Sequence, residues 1–214
     1  SNVFPGILGR TCDRPCEPAC RRGRVEEGSG ADPEPVAICR LKRVAADMKD
    51  DVAKRMPKLS PSNGRRVACI GAGPASLTVA RDLAPLGYEV TVYDGEAKAG
   101  GFIRTQIPRF RLPERVIDEE CGYILGLGVE WRPGQRIESM KALLAEGFDA
   151  VFVGCGAPRG RDLQLPGRQE AAENIHIGID WLSSVSFGHV TAVQPRVIVL
   201  GGGNTAMDCC RSAR

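Results

Sequence analysis

Arg66-Val67-Ala68-Cys69-Ile70-Gly71-Ala72-Gly73-Pro74-Ala75-Ser76-Leu77 is the stretch that decides how this chain reads. An apolar run of strand character stops at two glycines, and a helical pattern begins directly after them. The pattern is G-x-G-x-x-(G/A), with Ser76 in the third small position. Gly71 permits a tight turn, and Gly73 lets a pyrophosphate approach the backbone. Helix amides from Ala75 onward turn their positive end toward the phosphates. Alone, such a motif is weak. Here a second strand pattern, Tyr88-Glu89-Val90-Thr91-Val92-Tyr93, ends at Asp94, 23 residues after Gly71. A carboxylate at that place accepts hydrogen bonds from a ribose. Gly71, Ala72, Gly73, Pro74, Ala75, Ser76 and Asp94 are therefore the first candidate cofactor-binding set. The competing reading is a glycine-rich turn in an ordinary βαβ unit.

The theme returns 130 residues later in Pro195-Arg196-Val197-Ile198-Val199-Leu200-Gly201-Gly202-Gly203-Asn204-Thr205-Ala206-Met207-Asp208. This predicts a second strand over residues 195–200, a glycine loop and a helix. Two such units in one chain are far more specific than one. The chain stops at Arg214 inside that second helix, and one strand with half a helix cannot complete a parallel sheet. The sequence is thus expected to be a piece of a longer protein.

Between the two units the pattern is α/β. Residues 76–86 predict the first crossover helix, closed by Gly87. Gly100-Gly101-Phe102 follows Asp94, and then comes Ile107-Pro108-Arg109-Phe110-Arg111-Leu112-Pro113. The prolines forbid regular helix there, so a shaped loop is expected, with Arg109 and Arg111 in reach of a phosphate. A helix over 114–127, a strand over 129–131 and a short helix over 140–146 come next. Asp149 to Ala157 reads as a buried strand ending in small residues, which permits close passage of a cofactor.

Composition sets the bounds. The 214 residues are 43% hydrophobic and 26% charged, with no apolar run long enough to span a bilayer. Nothing at the amino end reads as a signal peptide, and the expected location is the cytoplasm. The net charge of +3 is too small to argue for nucleic acid. Residues 1–66 hold 14 Lys/Arg against 9 Asp/Glu, so the positive excess sits at the front. That excess reads equally as a solvated face or as a docking and cluster-supporting one.

The nine cysteines are an odd number, and without a signal peptide they argue against a secreted disulfide framework. Cys69 and Cys155 sit in strand patterns and read as small core residues. Cys12, Cys16 and Cys20 differ: they are spaced C-x3-C-x3-C among prolines. So short and polar a segment cannot order itself by burial, whereas a metal centre supplies the missing free energy. Zinc asks for paired hooks and four ligands, and closely spaced loop thiolates suit an iron–sulfur cluster better. Zinc and free redox thiols remain the alternatives. A helix is predicted from Pro35, with an apolar stripe of Val36, Ile38, Leu41, Val44, Ala45 and Met48. Cys39 lies on it, as a fourth ligand or simply a helix-face thiol. Residues 23–35 and 56–65 read as flexible connections, the second as a domain boundary.

With both fingerprints placed, the chain resembles the glutamate synthase small (β) subunit family, and with it the front half of dihydropyrimidine dehydrogenase. The likeness covers essentially the whole chain. It is carried by Leu8-Gly9-Arg10-x-Cys12 through Cys16-Glu17-x-x-Cys20, by Pro35-Val36-x-Ile38 with Leu41-Lys42-Arg43, and by Gly71-Ala72-Gly73-Pro74-Ala75. Gly100-Gly101, Ile107-Pro108-x-Phe110-Arg111-Leu112-Pro113 and Gly201 through Cys209 continue it.

The resemblance implies a Rossmann-like FAD-binding domain over 61–192, the start of an inserted NAD(P)-binding domain over 193–214, and a preceding α-helical iron–sulfur domain over 1–60. Gly71 to Ser76 would hold the FAD pyrophosphate and Asp94 its ribose, with Gly101, Phe102 and Arg111 lining the flavin. Gly202, Gly203, Asn204 and Thr205 would take the NAD(P)H phosphates. Cys12, Cys16 and Cys20 would ligate [4Fe–4S] iron, with Cys39 as the candidate fourth ligand, the family carrying two such clusters. The family's earlier cysteine group has no counterpart in the chain, and Lys42 stands where some relatives place a Gln ligand.

The implied function is an oxidoreductase passing electrons between NAD(P)H and a partner through FAD and clusters. That partner would be a larger oxidoreductase subunit or a ferredoxin-like acceptor or donor. No nucleic acid and no catalytic acid or base is expected, and His176 and His189 read as surface or strand-end residues. No C-x4-C pair follows the first fingerprint, which argues against a disulfide reductase. The rival readings are a FAD and cluster relay without NAD(P)H turnover, and a zinc-stabilised interaction domain joined to a nucleotide sensor.

Overall fold

The computed structural model describes residues 2–25, 33–52 and 55–214; the expected connection over 23–35 lies largely outside them. The chain divides into two units, Ser1–Met56 and Pro57–Arg214, at the start of the Pro/Gly/Ser stretch.

The first unit contains helices α1 (Pro5–Thr11), α2 (Arg22–Val25) and α3 (Ile38–Asp47). Pro5 opens α1, where its fixed φ suits a helix and its missing N–H costs nothing. α1 packs on α3. A Cβ at Gly9 would stand 2.8 Å from Arg43 Cβ, so the glycine is what lets the helices close up. Arg10 then forks onto both carboxylate oxygens of Asp47 at 2.8 Å. Burial pulls the Asp47 carboxyl up, but hydrogen bonds from Arg10 and Arg43 overcome it and leave the group below its ordinary value.

Two expectations change here. Regular helix starts at Ile38 rather than Pro35, because residues 33–37 are not helical. The apolar stripe is not the packed face either: α3 buries Cys39 and Ala46, while Leu41, Val44 and Met48 are exposed. Close approach to α1 selects small side chains, so the bulky stripe is turned outward.

The second unit is a Rossmann-like α/β layer structure. β1 (Arg66–Ile70), β2 (Glu89–Tyr93), β3 (Glu130–Arg132) and β4 (Ala150–Val153) form a parallel sheet in the order β3-β2-β1-β4. The register sets Ile70 beside Tyr93 on one side and Val153 on the other. β1 and β2 are joined through α4 (Pro74–Leu83) and a 3₁₀ turn over Ala84–Leu86, which ends at Gly87 with φ 86°. α5 (Phe102–Thr105), α6 (Glu114–Leu125), α7 (Met140–Ala145), α8 (Gly178–Ser186) and α9 (Asn204–Ala213) complete the unit.

On one face of the sheet Ala68, Tyr93, Leu143 and Phe148 form a core cluster, with Ile70, Ile137 and Val151 packed against it. α4 covers β1 and β2 and packs on α6, burying Leu77, Ala80, Ile117 and Ile124. A sheet covered on both faces explains why β1 reads as a continuous apolar run rather than as alternation.

Three further expectations are corrected. β4 is an edge strand, paired to β1 alone among the described residues, so Val153 is exposed. Cys155, just past it, is exposed rather than a core residue, whereas Cys69 is fully buried. Residues 195–200 join no ladder, and Val197, Ile198 and Leu200 are exposed. A strand is defined by its neighbours, and none of the described residues lies alongside this segment to pair with it.

Candidate functional site

Strand order reverses at β1, with β2 on one side and β4 on the other. In open parallel sheets the crevice beyond the carboxyl ends of two such strands is where ligands settle. The first glycine loop stands at that crevice. Gly71 has φ 93°, and a Cβ there would lie 2.6 Å from the Gly154 carbonyl oxygen. Gly73 precedes α4 in an extended conformation without a side-chain cap, and a Cβ there would meet nothing within 4 Å. The first bond of the helix runs from Leu77 N–H to Gly73 C=O at 3.0 Å. The Ala75 and Ser76 amides precede that ladder and direct the positive helix end into the open space, while Pro74 contributes no donor. This cradle fits the pyrophosphate of a dinucleotide.

Asp94 closes the cradle from β2. Its Oδ2 accepts from the Ala72 amide at 2.6 Å and its Oδ1 from the Glu96 amide at 2.8 Å. Lone pairs remain for a ribose, since a carboxylate offers about four acceptor positions.

The Gly100-Gly101 turn is sewn to the same loop. Gly100 N–H donates to Ala72 C=O at 2.8 Å, and a Cβ at Gly101 would come within 2.8 Å of Gly73 Cα. Phe102, the next residue, is exposed at the helix start. Sequence reading missed what holds this turn. The buried Arg104 donates from Nε to Ala99 C=O at 2.6 Å, from Nη1 to Glu114 at 3.1 Å and from Nη2 to Asp118 at 2.7 Å. A polar residue on a four-residue helix gives no hint of burial; only the three partners explain it.

Ser76 is also settled by structure. It is fully buried, and a Cβ on Gly154 would strike its Oγ at 2.2 Å. The hydroxyl fits in place of a smaller residue because Gly154, directly after β4, carries no side chain.

The second glycine loop repeats the first in miniature. Gly201 has φ 127°, Gly203 caps α9 at φ −82°, ψ 176°, and Gly73 caps α4 at φ −78°, ψ 178°. Gly202, Gly203, Asn204 and Thr205 are all exposed. Arg111 points away from a free-anion role: its Nη1 meets Asp208 Oδ2 of α9 at 2.5 Å. Arg109 pairs with Glu114 at 2.6 Å and donates to the Ser186 carbonyl at 2.7 Å.

The four candidate ligand thiols, Cys12, Cys16, Cys20 and Cys39, lie in the first unit. Burial pushes the Cys39 thiol up, Lys42 opposing, with Cys12 in hydrogen-bonding reach. Cys12 Sγ accepts from the Arg14 amide at 3.4 Å. Backbone hydrogen bonds from Val36 and Arg22 hold the Cys20 thiol below its ordinary value, and Cys16 is exposed. Amide-cradled sulfurs are the donor chemistry of iron–sulfur ligands. No group of three Cys, His, Asp or Glu side chains converges on one metal position among the described residues.

A depression of about 420 Å³ lies at the opposite, amino end of the strands, around Leu59, Arg66, Glu89 and Glu130. Its carboxylates are already engaged, Glu89 by Ser62 and Glu130 by Thr91, so the chemistry gathers at the carboxyl end. Among the described residues no helix is long and apolar enough to cross a membrane.

The chain is 36% identical to NADPH-Fe(3+) oxidoreductase subunit beta of Geobacter sulfurreducens (strain DL-1 / KN400), over 98% of this chain and 31% of that protein. It is 34% identical to glutamate synthase [NADPH] small chain of Mycobacterium tuberculosis (strain CDC 1551 / Oshkosh), over 98% of this chain and 44% of the relative. It is 36% identical to the NAD-dependent dihydropyrimidine dehydrogenase subunit PreT homolog of Salmonella typhi, over 97% and 49%. The chain thus spans about a third to a half of the length of these curated relatives. Residues 65–214, which hold the sheet and both glycine loops, match the family described as pyridine nucleotide-disulphide oxidoreductase, and the chain belongs to that family.

Proposed function

We propose that this chain is the flavin- and pyridine-nucleotide-binding part of a cytoplasmic electron-transfer oxidoreductase. The carrying observation is the first glycine loop at the strand-order reversal, with Asp94 hydrogen-bonded across it. Gly71 to Ser76 would hold the FAD pyrophosphate, Asp94 the ribose, and Gly101 with Phe102 the flavin side of the cleft. Gly202, Gly203, Asn204 and Thr205 would hold the NAD(P)H phosphates on the α9 amino end. A flavin held there would supply hydride acceptance from reduced nicotinamide and one-electron release, while the chain's residues position it.

The protein residues do the positioning. Gly73 admits the phosphates to the backbone, and Asp94 orients the ribose while fixing the loop. Arg104 keeps the Gly100-Gly101 turn against Gly73. Cys12, Cys16, Cys20 and Cys39 would hold an iron–sulfur cluster, a reading supported by the C-x3-C-x3-C spacing and the amide-cradled sulfurs. The receiving partner would be a larger oxidoreductase subunit or a ferredoxin-like protein. The relatives named for iron reduction, glutamate synthesis and dihydropyrimidine dehydrogenation share this segment, so the segment itself does not select the terminal substrate.

The test is an anaerobic absorbance spectrum of the purified full-length protein before and after NADH or NADPH. Bleaching of a flavin band by one nucleotide, with iron and sulfide in the protein, supports the reading. A flavin band that only dithionite bleaches leaves a relay without nucleotide turnover. Absence of flavin from the protein after reconstitution with FAD would overturn the assignment.

A further inference from the structure

Glu114, the first residue of α6, gathers three cations from the chain just before it. Its Oε1 accepts from Lys98 Nζ at 2.9 Å and from Arg104 Nη1 at 3.1 Å. Its Oε2 lies 2.6 Å from Arg109 Nη1. The two oxygens thus serve two segments, one the turn over residues 98–104 and the other the proline-bounded loop 108–113. Arg109 carries the tie onward, donating from Nη2 to the Ser186 carbonyl of α8 at 2.7 Å. Ser186 Oγ donates back to the Thr105 carbonyl at 3.2 Å. The turn itself is seated on the first glycine loop, by the Gly100 amide on the Ala72 carbonyl at 2.8 Å. A Cβ at Gly100 would stand 3.1 Å from Arg104 Cβ, so the buried arginine is the floor on which the turn rests.

We infer that Glu114 is a positioning residue for the flavin, acting through Lys98, Arg104 and Arg109 to clamp the Gly100-Gly101 turn against Gly73. The inference rests on the first fingerprint taking FAD, as proposed above. Without this carboxylate, Arg104 keeps Asp118 and the Ala99 carbonyl, and Arg109 keeps the Ser186 carbonyl. Lys98 loses the carboxylate that holds it, and three positive charges are left facing one another. The 98–101 segment is the part that yields, since its cation sits on an exposed side chain while Arg104 is pinned from α6. The sign of the effect on FAD separates positioning from simple charge. Loss of a negative group near the cradle, by itself, favours an anionic pyrophosphate. A loosened turn disfavours it.

The experiment strips the flavin from the full-length protein and titrates FAD back by fluorescence, for wild type, Glu114→Gln, Glu114→Asp, Lys98→Met and the Glu114→Gln/Lys98→Met double variant. Urea unfolding of each flavin-free form is measured beside it. Glu114→Gln is expected to weaken FAD roughly tenfold, the size of one network coupling. Glu114→Asp keeps the charge with a shorter reach and should recover part of that affinity. Lys98→Met should weaken FAD as well, and the double variant should lose less than the sum, because both changes release one contact.

FAD binding that tightens or stays unchanged in a folded Glu114→Gln overturns the inference, even where its unfolding midpoint falls. Strict additivity in the double variant also overturns it, since the two side chains would then act apart. Where Glu114→Gln does not fold, Glu114→Asp decides: weaker FAD at unchanged charge supports the clamp, and wild-type affinity overturns it. A wild type that does not take up FAD overturns the reading of the first fingerprint together with this inference. A wild type that binds FAD, with indifferent variants, overturns this inference alone.

Discussion

Asp94 Oδ2 accepts a hydrogen bond from the backbone amide of Ala72 at 2.6 Å. The residue at the end of β2 thereby fixes the loop at the end of β1 before any ligand arrives. This couples two jobs, since the carboxylate that would meet the ribose also satisfies a loop amide. Asp94→Ala should lower FAD affinity at least about tenfold and cost about 1–3 kcal/mol of stability. Asp94→Asn keeps an acceptor for Ala72 but lowers acceptor capacity, so it should retain most stability while still weakening FAD. Fluorescence titration with FAD and urea unfolding measure the two effects separately; equal stability loss in both variants would refute the division.

The contact between Gly101 and Gly73 leaves no room for a methyl group. Gly101 has φ 52°, and a Cβ there would come within 2.8 Å of backbone. Gly101→Ala should cost roughly 2 kcal/mol or more and strip FAD during purification. Thermal unfolding and the flavin-to-protein absorbance ratio check this. A variant with wild-type flavin content would show that the turn does not shape the site.

Ser76 and Gly154 form a size-matched pair. Gly154→Ala should destabilise by about 1–3 kcal/mol, because its methyl meets Ser76 Oγ at 2.2 Å. Adding Ser76→Gly should recover part of the loss. Denaturant unfolding of the two singles and the double reads the coupling, and simple additivity would falsify the pairing.

Glu114 receives Lys98 at 2.9 Å, Arg104 at 3.1 Å and Arg109 at 2.6 Å. The Lys98 hydrogen bond, against some burial and with help from Arg109, holds its carboxyl below the ordinary value. A carboxyl depressed in the folded state contributes its full stabilisation above the unfolded value, about 4.3, and loses it as pH falls through the folded one. Glu114→Gln should therefore be less stable than wild type at pH 7 by about 1 kcal/mol, given its partial exposure. The gap should close as pH falls below the unfolded value and through the lower folded one. Urea unfolding across that range tests it; a gap that is constant with pH would rule the ion pairs out.

Burial pushes the Cys69 thiol up to about 11 and the Cys121 thiol up to about 12. Native protein at pH 8 should leave both unlabelled by iodoacetamide, while the exposed Cys155 and Cys210 react. Peptide mass mapping shows the order. Labelling of Cys121 as fast as Cys155 would contradict the packing of α6.

The two glycine loops, Asp94 and the α/β alternation were legible in the chain because each follows a local rule. Glycine allows the turn, small residues admit phosphate, and apolar runs of four or five residues between turn residues become strands. The thiol spacing was equally plain. Tertiary structure decided what depends on neighbours. Residues 195–200 carry the composition of a strand but join no ladder among the described residues. Cys155 shares a strand-end setting with Cys69 yet is exposed, because among the described residues β4 pairs with β1 alone while β1 is paired on both sides. The α3 stripe faces outward because Gly9 lets small residues make the helix contact. Arg104 and the Arg111–Asp208 pair join residues 10 and 97 positions apart. A long-range ion pair leaves no periodicity in a sequence; it exists only once the fold has brought both charges out of water together.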